Sequence, residues 1–233
     1  MAKTKDLTTG KTWKLLLAFA LPTLLSNVFQ QFYNLADTAI AGHILGDNAL
    51  VAIGASSTIN SLVLSFAWGL NGGFGIIIAQ SFGAKDNNKL KKSVAISLLI
   101  NVIFSLLVLI VSVFASKPML KLLNTPAARL DEANSYIAVI LAFIIVPMLY
   151  NLEAVILRSL GDSKTPLYFL IFSSVLNIVL DYVLIKFTNM GVMGAAVATV
   201  LAQFLSVVLC FIVILKNFIN SLIITQCSRC SRL

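Results

Sequence analysis

Two polar residues interrupt a strongly apolar stretch of this sequence. In LNIVLDYVLI, residues 176–185, Asn177 and Asp181 stand four positions apart, which places them on one face of an α-helix. A carboxylate in hydrocarbon costs roughly 3 kcal/mol even on lenient insertion scales, so such a group normally faces a cavity, a cation or another polar group. The spacing therefore predicts a polar face that offers oxygen ligands inside a membrane helix.

Two other predicted spans place oxygen-bearing side chains at a similar depth. Asp37 lies near the end of the first span, and Thr199 and Gln203 lie one turn apart on the last. At a rise of about 1.5 Å per residue, Asp181, Asp37 and Thr199 lie roughly 9, 5 and 12 Å from the outer ends of their helices. We therefore expect them to form one cluster in the outer half of the membrane.

The chemistry of this cluster follows from its charge. No Lys, Arg or His lies at that depth in the predicted spans, so a proton, a metal cation or a cationic substrate must balance the carboxylates. Oxygen ligands without nitrogen or sulfur suit a hard cation. The predicted cation-binding set, which would also be the site of a metal cation, is Asp37, Asn177, Asp181 and Thr199, with Gln203 as a secondary member. The alternative is that these groups only hydrogen-bond neighbouring helices.

Glu153 and Pro22 are two further residues of interest within the spans. Glu153 lies near the cytoplasmic end of its predicted helix and close to Arg158, so we interpret it as interfacial or ion-paired, with a secondary role in transport as the alternative. Pro22 removes a backbone hydrogen bond inside the first span and predicts a kink. The sequence leaves open whether this kink is a static bend or a hinge.

The elements that must position these residues are membrane-spanning helices. Of the 233 residues, 59% are hydrophobic and 11% are charged, whereas a soluble domain has roughly 25% charged residues. The start lacks the features of a cleaved signal, so we expect the first apolar segment to be retained. We predict an all-α polytopic membrane protein, a six-transmembrane-helix bundle over residues 1–216 with an atypical tail at 217–233. The predicted spans are approximately 13–40, 50–82, 93–116, 133–157, 167–187 and 191–215, each long enough for a bilayer.

Basic residues favour one orientation of this bundle. If the N-terminus is cytoplasmic, 13 Lys and Arg residues lie inside and 4 lie outside. Because positive residues concentrate in cytoplasmic loops, we predict that both termini face the cytoplasm, in the cell membrane of a bacterium. The net charge of +8 comes from short clusters between apolar runs, which argues against nucleic acid as a partner.

The remaining residues argue against enzymatic chemistry. Cys227 and Cys230 form a CxxC in the tail, but a zinc site would need two more ligands, and His43 is far off in the predicted first external loop. Cys210 lies in an apolar run, where a cysteine packs as a small side chain. The sequence contains no intramembrane Ser/His pair and no phosphate loop. We therefore expect neither an enzyme nor a bound cofactor.

Small residues predict where helices approach one another closely. One group lies in GVMGAAVATVLAQ, residues 191–203. The loop after the fourth span holds residues typical of turns and helix starts, Gly161, Asp162 and Pro166. A further small-residue group consists of Gly69, Gly72, Gly73, Gly75 and Gly83, for which packing and a functional role both remain open.

Five segments, taken in order, resemble a known family. They are FALPTLLSNVFQQFYNLADTAIAG, IIIAQSFGAKD, ILRSLGDSKTP, LNIVLDYVLI and GVMGAAVATVLAQ. Together they make residues 10–215 similar to the N-terminal half of multidrug and toxic compound extrusion (MATE) transporters. The resemblance implies export of organic cations and other toxic compounds in exchange for Na⁺ or H⁺ as the coupling ion. It also implies a cation site at Asp37, Asn177, Asp181 and Thr199, and a bend of the first helix at Pro22.

The sequence departs from the family in helix number. Members have twelve helices in two similar lobes with the substrate cavity between them, whereas six are predicted here. We expect the cavity side to need a second lobe or a second copy of the chain. One alternative is a lipid or polysaccharide-precursor flippase, whose cavity would carry cationic residues that the predicted spans lack. The other is a non-transporting truncated fragment, suggested by the unusual tail NFINSLIITQCSRCSRL.

Overall fold

A computed structural model describes residues 12–123, 125–126, 130–187 and 191–230, and this part of the chain is helical apart from short connections. The all-helical prediction is confirmed. The described helices are α1 (Thr12–Leu45), α2 (Asp47–Gly83), α3 (Asn87–Leu122), α4 (Leu130–Ala142), α5 (Ile145–Ser159), α6 (Lys164–Phe187) and α7 (Val192–Cys230). The side chains of Cys227 and Cys230, on which the CxxC interpretation rests, lie outside the described residues.

The prediction of one continuous helix over residues 133–157 is wrong, because the helix breaks at Phe143 and Ile144. Helices α4 and α5 meet there at 47° and together form one bent candidate span. Pro147 follows the break and has no N–H to donate to the carbonyl of Phe143. That carbonyl accepts instead from the N–H of Val146 at 2.9 Å, which is a tighter turn than an α-helix makes.

Length and composition qualify four described helices, besides the bent pair, as membrane spans. They are Ile53–Gly83, Asn87–Ser112, Lys164–Phe187 and Val192–Lys216. Helix α1 has 34 residues, which is more than a bilayer needs, but it is not among them. Its sequence carries Asn27, Gln30, Gln31 and Asn34. Helix α1 therefore carries more carboxamide side chains than a purely lipid-facing helix needs.

The connections define two ends of the bundle. At the first-loop end, Gly46 joins α1 to α2 with φ 81°, a left-handed conformation that favours glycine. Helix α1 continues to Leu45, so the placement of His43 in a loop is wrong, and His43 lies in the last turn of α1. At the second-loop end, α2 meets α3 at residues 84–86 and α5 meets α6 at residues 160–163.

Apolar packing divides into one cluster for each half of the bundle. In the first-loop half, α4 residues such as Ile137 and Ile140 pack with Ile185 of α6 and Ala196 of α7. In the second-loop half, Ile78, Leu152, Ile156 and Cys210 are among the residues that pack between α2, α5 and α7. Many large apolar side chains outside these clusters are exposed, as expected for surfaces that face lipid.

Small residues form close helix contacts at some of the predicted positions. On α7, Ala195, Ala196 and Ala198 are at most 1% exposed. On α2, only Gly75 of the described glycines in that group lies against another helix, since a Cβ there would lie 2.7 Å from Cγ1 of Val155. The Ser159 hydroxyl also donates to the Gly75 carbonyl at 3.0 Å. Gly75 therefore allows α2 and α5 to approach closely.

Asp162 caps the start of α6, in agreement with its predicted role at a helix start. Its Oδ1 accepts from the N–H groups of Lys164 at 3.2 Å and Thr165 at 3.0 Å. The Thr165 hydroxyl donates to the other carboxylate oxygen. These bonds satisfy donors that a helix start leaves unpaired, and they fix the helix that carries Asn177 and Asp181.

Candidate functional site

Helices α1, α6 and α7 bring the four predicted cation ligands together in the first-loop half. Helix α6 makes its most extensive contacts with α7 and with α1. Because α1 extends to Leu45, Asp37 lies about 12 Å from that helix end, beside about 9 Å for Asp181 and about 10 Å for Thr199. The depths agree more closely than the predicted spans implied.

Asn177 links α6 to α7 within this cluster. Asn177 and Asp181 are both 0% exposed. In the amide orientation that satisfies both neighbours, Asn177 donates to Oδ2 of Asp181 at 3.0 Å and accepts from the N–H of Thr199 at 3.2 Å. The Thr199 hydroxyl donates to the Ala195 carbonyl at 3.0 Å. The lone pairs of that hydroxyl therefore remain available to the cluster.

Asp37 of α1 and Asp181 of α6 lie within hydrogen-bonding reach of each other. One oxygen of each, Oδ1 in both cases, is buried without a hydrogen-bond partner. Two adjacent buried carboxylates cannot both stay charged unless a cation lies between them or one of them takes a proton. We call Asp37, Asn177, Asp181 and Thr199 the carboxylate cluster, and its free oxygens are the atoms able to accept that cation or proton.

Two tyrosines lie beside the cluster, and neither is among the site residues predicted from the sequence. Tyr33, 8% exposed, precedes Asp37 by one turn of α1, and its hydroxyl lies beside Thr199. Tyr136 of α4, 7% exposed, lies within electrostatic reach of both carboxylates. The spacing of Tyr33 and Asp37 repeats that of Asn177 and Asp181 and was a usable signal. Nothing local in the sequence marks Tyr136, which only tertiary packing brings to the site.

The donor set fits a hard cation or a proton. No described Lys, Arg or His side chain acts on Asp37 or Asp181, and no three His, Cys, Asp or Glu residues gather in the described ranges. Carboxylate, amide and hydroxyl oxygens are ligands that hard cations such as Na⁺ prefer. The structure thus brings the four residues together, and cation binding by them stays a prediction.

The secondary candidates lie apart from the cluster or at its margin. Gln203 is half-buried one turn along α7 from Thr199. Glu153 is 3% exposed in α5, packs against Cys210 and has a carboxylate oxygen without a partner. Glu153 thus forms no ion pair within the described residues, and its interfacial position and its secondary role in transport stay predictions. Pro22 lies inside a continuous α1, and its role as a hinge stays a prediction.

A second polar region lies in the second-loop half. A cavity of about 450 Å³, here called the polar cavity, opens between α1, α2, α5 and α6. Its lining includes Trp68, Tyr150, Arg158 and five carboxamides, Asn27, Gln30, Gln31, Asn71 and Asn151. Arg158 was placed in a loop from the sequence, but α5 runs to Ser159. The expectation that the spans carry no cationic side chain in the cavity is therefore wrong.

Comparisons with known proteins agree on one family. Residues 22–183 match the sequence profile of the MatE family. The Probable multidrug resistance protein YpnP of Bacillus subtilis (strain 168) is 36% identical over 201 residues, which cover 86% of this chain and 45% of that protein. The Probable multidrug resistance protein YoeA of the same strain is 32% identical over 194 residues, covering 82% of this chain and 42% of that protein.

A solved structure supports the same assignment. It is the outward-facing conformation of a multidrug resistance MATE family transporter of the MOP superfamily, with a TM-score of 0.82 and 27% sequence identity to this chain. The match covers 90% of this chain and 46% of that one. The chain thus spans about half the length of the curated relatives it matches.

Proposed function

Since this chain belongs to the MATE family of multi-pass membrane transporters, which are not enzymes, we propose that it forms the N-terminal lobe of a cation-coupled antiporter. The antiporter exports drugs or other toxic organic compounds in exchange for Na⁺ or H⁺. The similarity to proteins named for multidrug resistance supports this assignment. The substrate would lie between this lobe and a second lobe, or a second copy of the chain.

The carboxylate cluster is the observation that carries the proposal. Asp37 and Asp181 come from different helices, meet in a buried position and each keep one oxygen without a partner. A site that only joined helices would use neutral hydrogen-bonding groups, whereas two acids impose a demand for positive charge. A coupling ion that enters and leaves would meet that demand in alternate states.

The two carboxylates are proposed to act differently in this cycle. Asp181 is held by Asn177 on the same face of α6, which suits a fixed oxygen ligand. Asp37 lies beyond Pro22 on α1, and the Ser26 hydroxyl donates to the Pro22 carbonyl at 2.8 Å, a bond that often accompanies helix bending. Binding of the ion would draw Asp37 toward Asp181, and its release would let α1 bend away.

Transport measurements in a version with a complete second lobe test this proposal. We expect Asp181→Asn and Asp37→Asn to remove the dependence of drug export on a Na⁺ or proton gradient. Asp131→Asn is the matched control, because the Asp131 side chain is 90% exposed and pairs with Lys117 at the surface. Unchanged export and an unchanged ion response in both cluster variants would refute the proposal.

We propose that both termini face the cytoplasm. Asn88→Cys and Thr125→Cys, in a background without the native cysteines, report the two sides of the membrane. A membrane-impermeant thiol reagent added outside intact cells should label position 125 and not position 88. The reverse pattern would overturn the orientation.

A lipid or polysaccharide-precursor flippase is the second candidate. Arg158 in the polar cavity favours it, because a cationic group can hold the phosphate of a lipid-linked precursor. Such a function predicts that export depends on Arg158 and is indifferent to small cationic drugs.

A further inference from the structure

The polar cavity carries a charge opposite to that of the carboxylate cluster. Arg158 is the one formally charged side chain among its described lining residues. It has no described carboxylate partner, since the ion pair found in the described ranges joins Lys117 to Asp131. A guanidinium stays charged in proteins. Arg158 therefore calls for an acceptor, preferably an anionic one, inside the cavity.

The hydrogen bonds around the cavity wall leave some polar atoms without partners. Asn71 Oδ1 accepts from Asn101 at 2.6 Å, which leaves Asn71 Nδ2 and Asn101 Oδ1 both buried without a partner. Arg158 Nε is likewise buried without an acceptor. Asn151 has both amide groups engaged, since it accepts from the Trp68 indole at 2.9 Å and donates to Pro147 at 2.8 Å. The charged guanidinium of Arg158 in the cavity wall therefore favours a ligand that brings acceptor oxygens.

Other parts of the wall are apolar. Trp68, Val155 and Leu170 line the cavity beside the polar groups, and the Trp68 ring is held by its bond to Asn151. A volume of about 450 Å³ is within the usual range for sites that bind drug-sized molecules. The cavity thus suits a molecule with one acidic end and one flat or apolar end.

We propose that the polar cavity binds the acidic group of an amphipathic small molecule, a carboxylate or a phosphate, through the guanidinium of Arg158. The transported compound is then an organic anion or zwitterion rather than the simple organic cation expected from the family resemblance. The claim that this ligand is transported rests on the proposed function. Its binding does not, because Arg158 and the carboxylate cluster lie in different halves of the bundle.

Three dansyl compounds that differ in charge test the proposal on the full chain in phosphatidylcholine nanodiscs. They are dansylglycine, dansylamide and a dansyl derivative with a trimethylammonium group. The chain has two tryptophans, so Trp13→Phe leaves Trp68 as the single donor for energy transfer to a bound dansyl group. Because charge-assisted hydrogen bonds are strong, we expect dansylglycine to bind at least roughly tenfold more tightly than the other two.

Charge variants identify the recognising residue. Arg158→Gln should remove the preference for dansylglycine, and Arg158→Lys should keep part of it. Lys186→Gln is the matched control, because Lys186 is exposed in the last turn of α6 at the first-loop end. Equal binding of the cationic compound by the unaltered protein, or an unchanged ranking in folded Arg158→Gln, would overturn the proposal.

A steric pair tests the cavity if Arg158→Gln fails to fold. A Cβ at Gly72 or Gly73 would meet nothing within 4 Å, but only Gly72 lines the cavity. Gly72→Val should therefore weaken dansylglycine binding, and Gly73→Val should not. Equal effects of the two variants would place the ligand elsewhere.

Two more arms separate the sources of the acidic group and the two proposals. Displacement of dansylglycine in nanodiscs enriched in phosphatidylglycerol would assign the cavity to a lipid phosphate, and retention would assign it to a soluble acid. Asp181→Asn should leave the dansyl ranking intact. If the cluster variants lose ion coupling but the unaltered protein does not prefer dansylglycine, only this inference is overturned. If the unaltered protein prefers dansylglycine but drug export does not depend on Na⁺ or H⁺, only the proposed function is overturned.

Discussion

The two polar regions of this bundle share α1 and α6 but differ in charge and in enclosure. The carboxylate cluster is acidic, and its α6 residues Asn177 and Asp181 are fully buried. The polar cavity is lined by carboxamides and Arg158 around about 450 Å³ of space. A small ion requires closely spaced oxygens, whereas a larger molecule requires volume. The polar residues along α1 serve both regions, which explains why this helix is less apolar than its neighbours.

Stabilisation by sodium is the largest effect that would separate the two regions. If Na⁺ binds the carboxylate cluster of the folded chain, its presence at about 100 times its Kd should raise the free energy of unfolding by about 2.7 kcal/mol. The midpoint of thermal unfolding of the purified chain, measured in NaCl and in choline chloride, reports this. Asp181→Asn should lose the difference between the salts.

The matched control for this measurement is Arg158→Gln, which should keep the full sodium response. A sodium response that disappears in Arg158→Gln as well would mean that the two regions are one site. A chain coupled only to protons would instead show no sodium response and a midpoint that depends on pH through Asp37 and Asp181.

The close approach of α2 and α5 near the polar cavity should be sensitive to a single methyl group. Gly75→Ala places a Cβ 2.7 Å from Cγ1 of Val155, and such overpacking costs about 1–3 kcal/mol. Gly73→Ala meets nothing within 4 Å and should stabilise by up to about 1 kcal/mol, because alanine is the better helix former. Thermal unfolding of both variants gives the comparison.

A double variant checks the cause of that loss. Val155→Ala removes the clashing methyl groups, so it should restore part of the stability of Gly75→Ala. If Gly75→Ala and Gly73→Ala shift the midpoint in the same direction by the same amount, the close packing of α2 on α5 is not the reason.

The smallest expected effect concerns the helix that the two regions share. Asp162→Ala removes the acceptor for the N–H groups of Lys164 and Thr165, and loss of such a cap costs about 1 kcal/mol. Thr165→Val, which removes only the hydroxyl donor, should cost less. Both variants should retain the sodium response and the dansylglycine preference, since the cap supports α6 without contacting either ligand. Loss of one response alone would show that the end of α6 positions that region specifically.

Most of the fold and of the carboxylate cluster could be predicted from the sequence, because both depend on local patterns of residues. Apolar run length predicts membrane helices, and the four-residue spacing of Asn177 and Asp181 predicts a shared face. Depth along three helices then brought Asp37 and Thr199 to the same level. Tyr136 could not be predicted as part of the cluster, because its position depends on how α4 packs and no local pattern encodes that packing.

The polar cavity was harder to predict because its chemistry depends on helix ends. Two extra residues at the end of α5 place Arg158 in the helix rather than in a loop, and helix boundaries are the least certain part of any sequence-based prediction. The break before α5 had a local signal in Pro147.

The break at Phe143 and Ile144 gives one candidate membrane span two separate orientations. Helix α4, of 13 residues, holds Tyr136 near the carboxylates, and α5, of 15 residues, holds Arg158 against the cavity. Because the helix direction changes at this break, substitutions that tilt or repack α5 need not displace Tyr136. Descendants of such a bundle can therefore diversify what the cavity recognises while inheriting the ion-facing half unchanged.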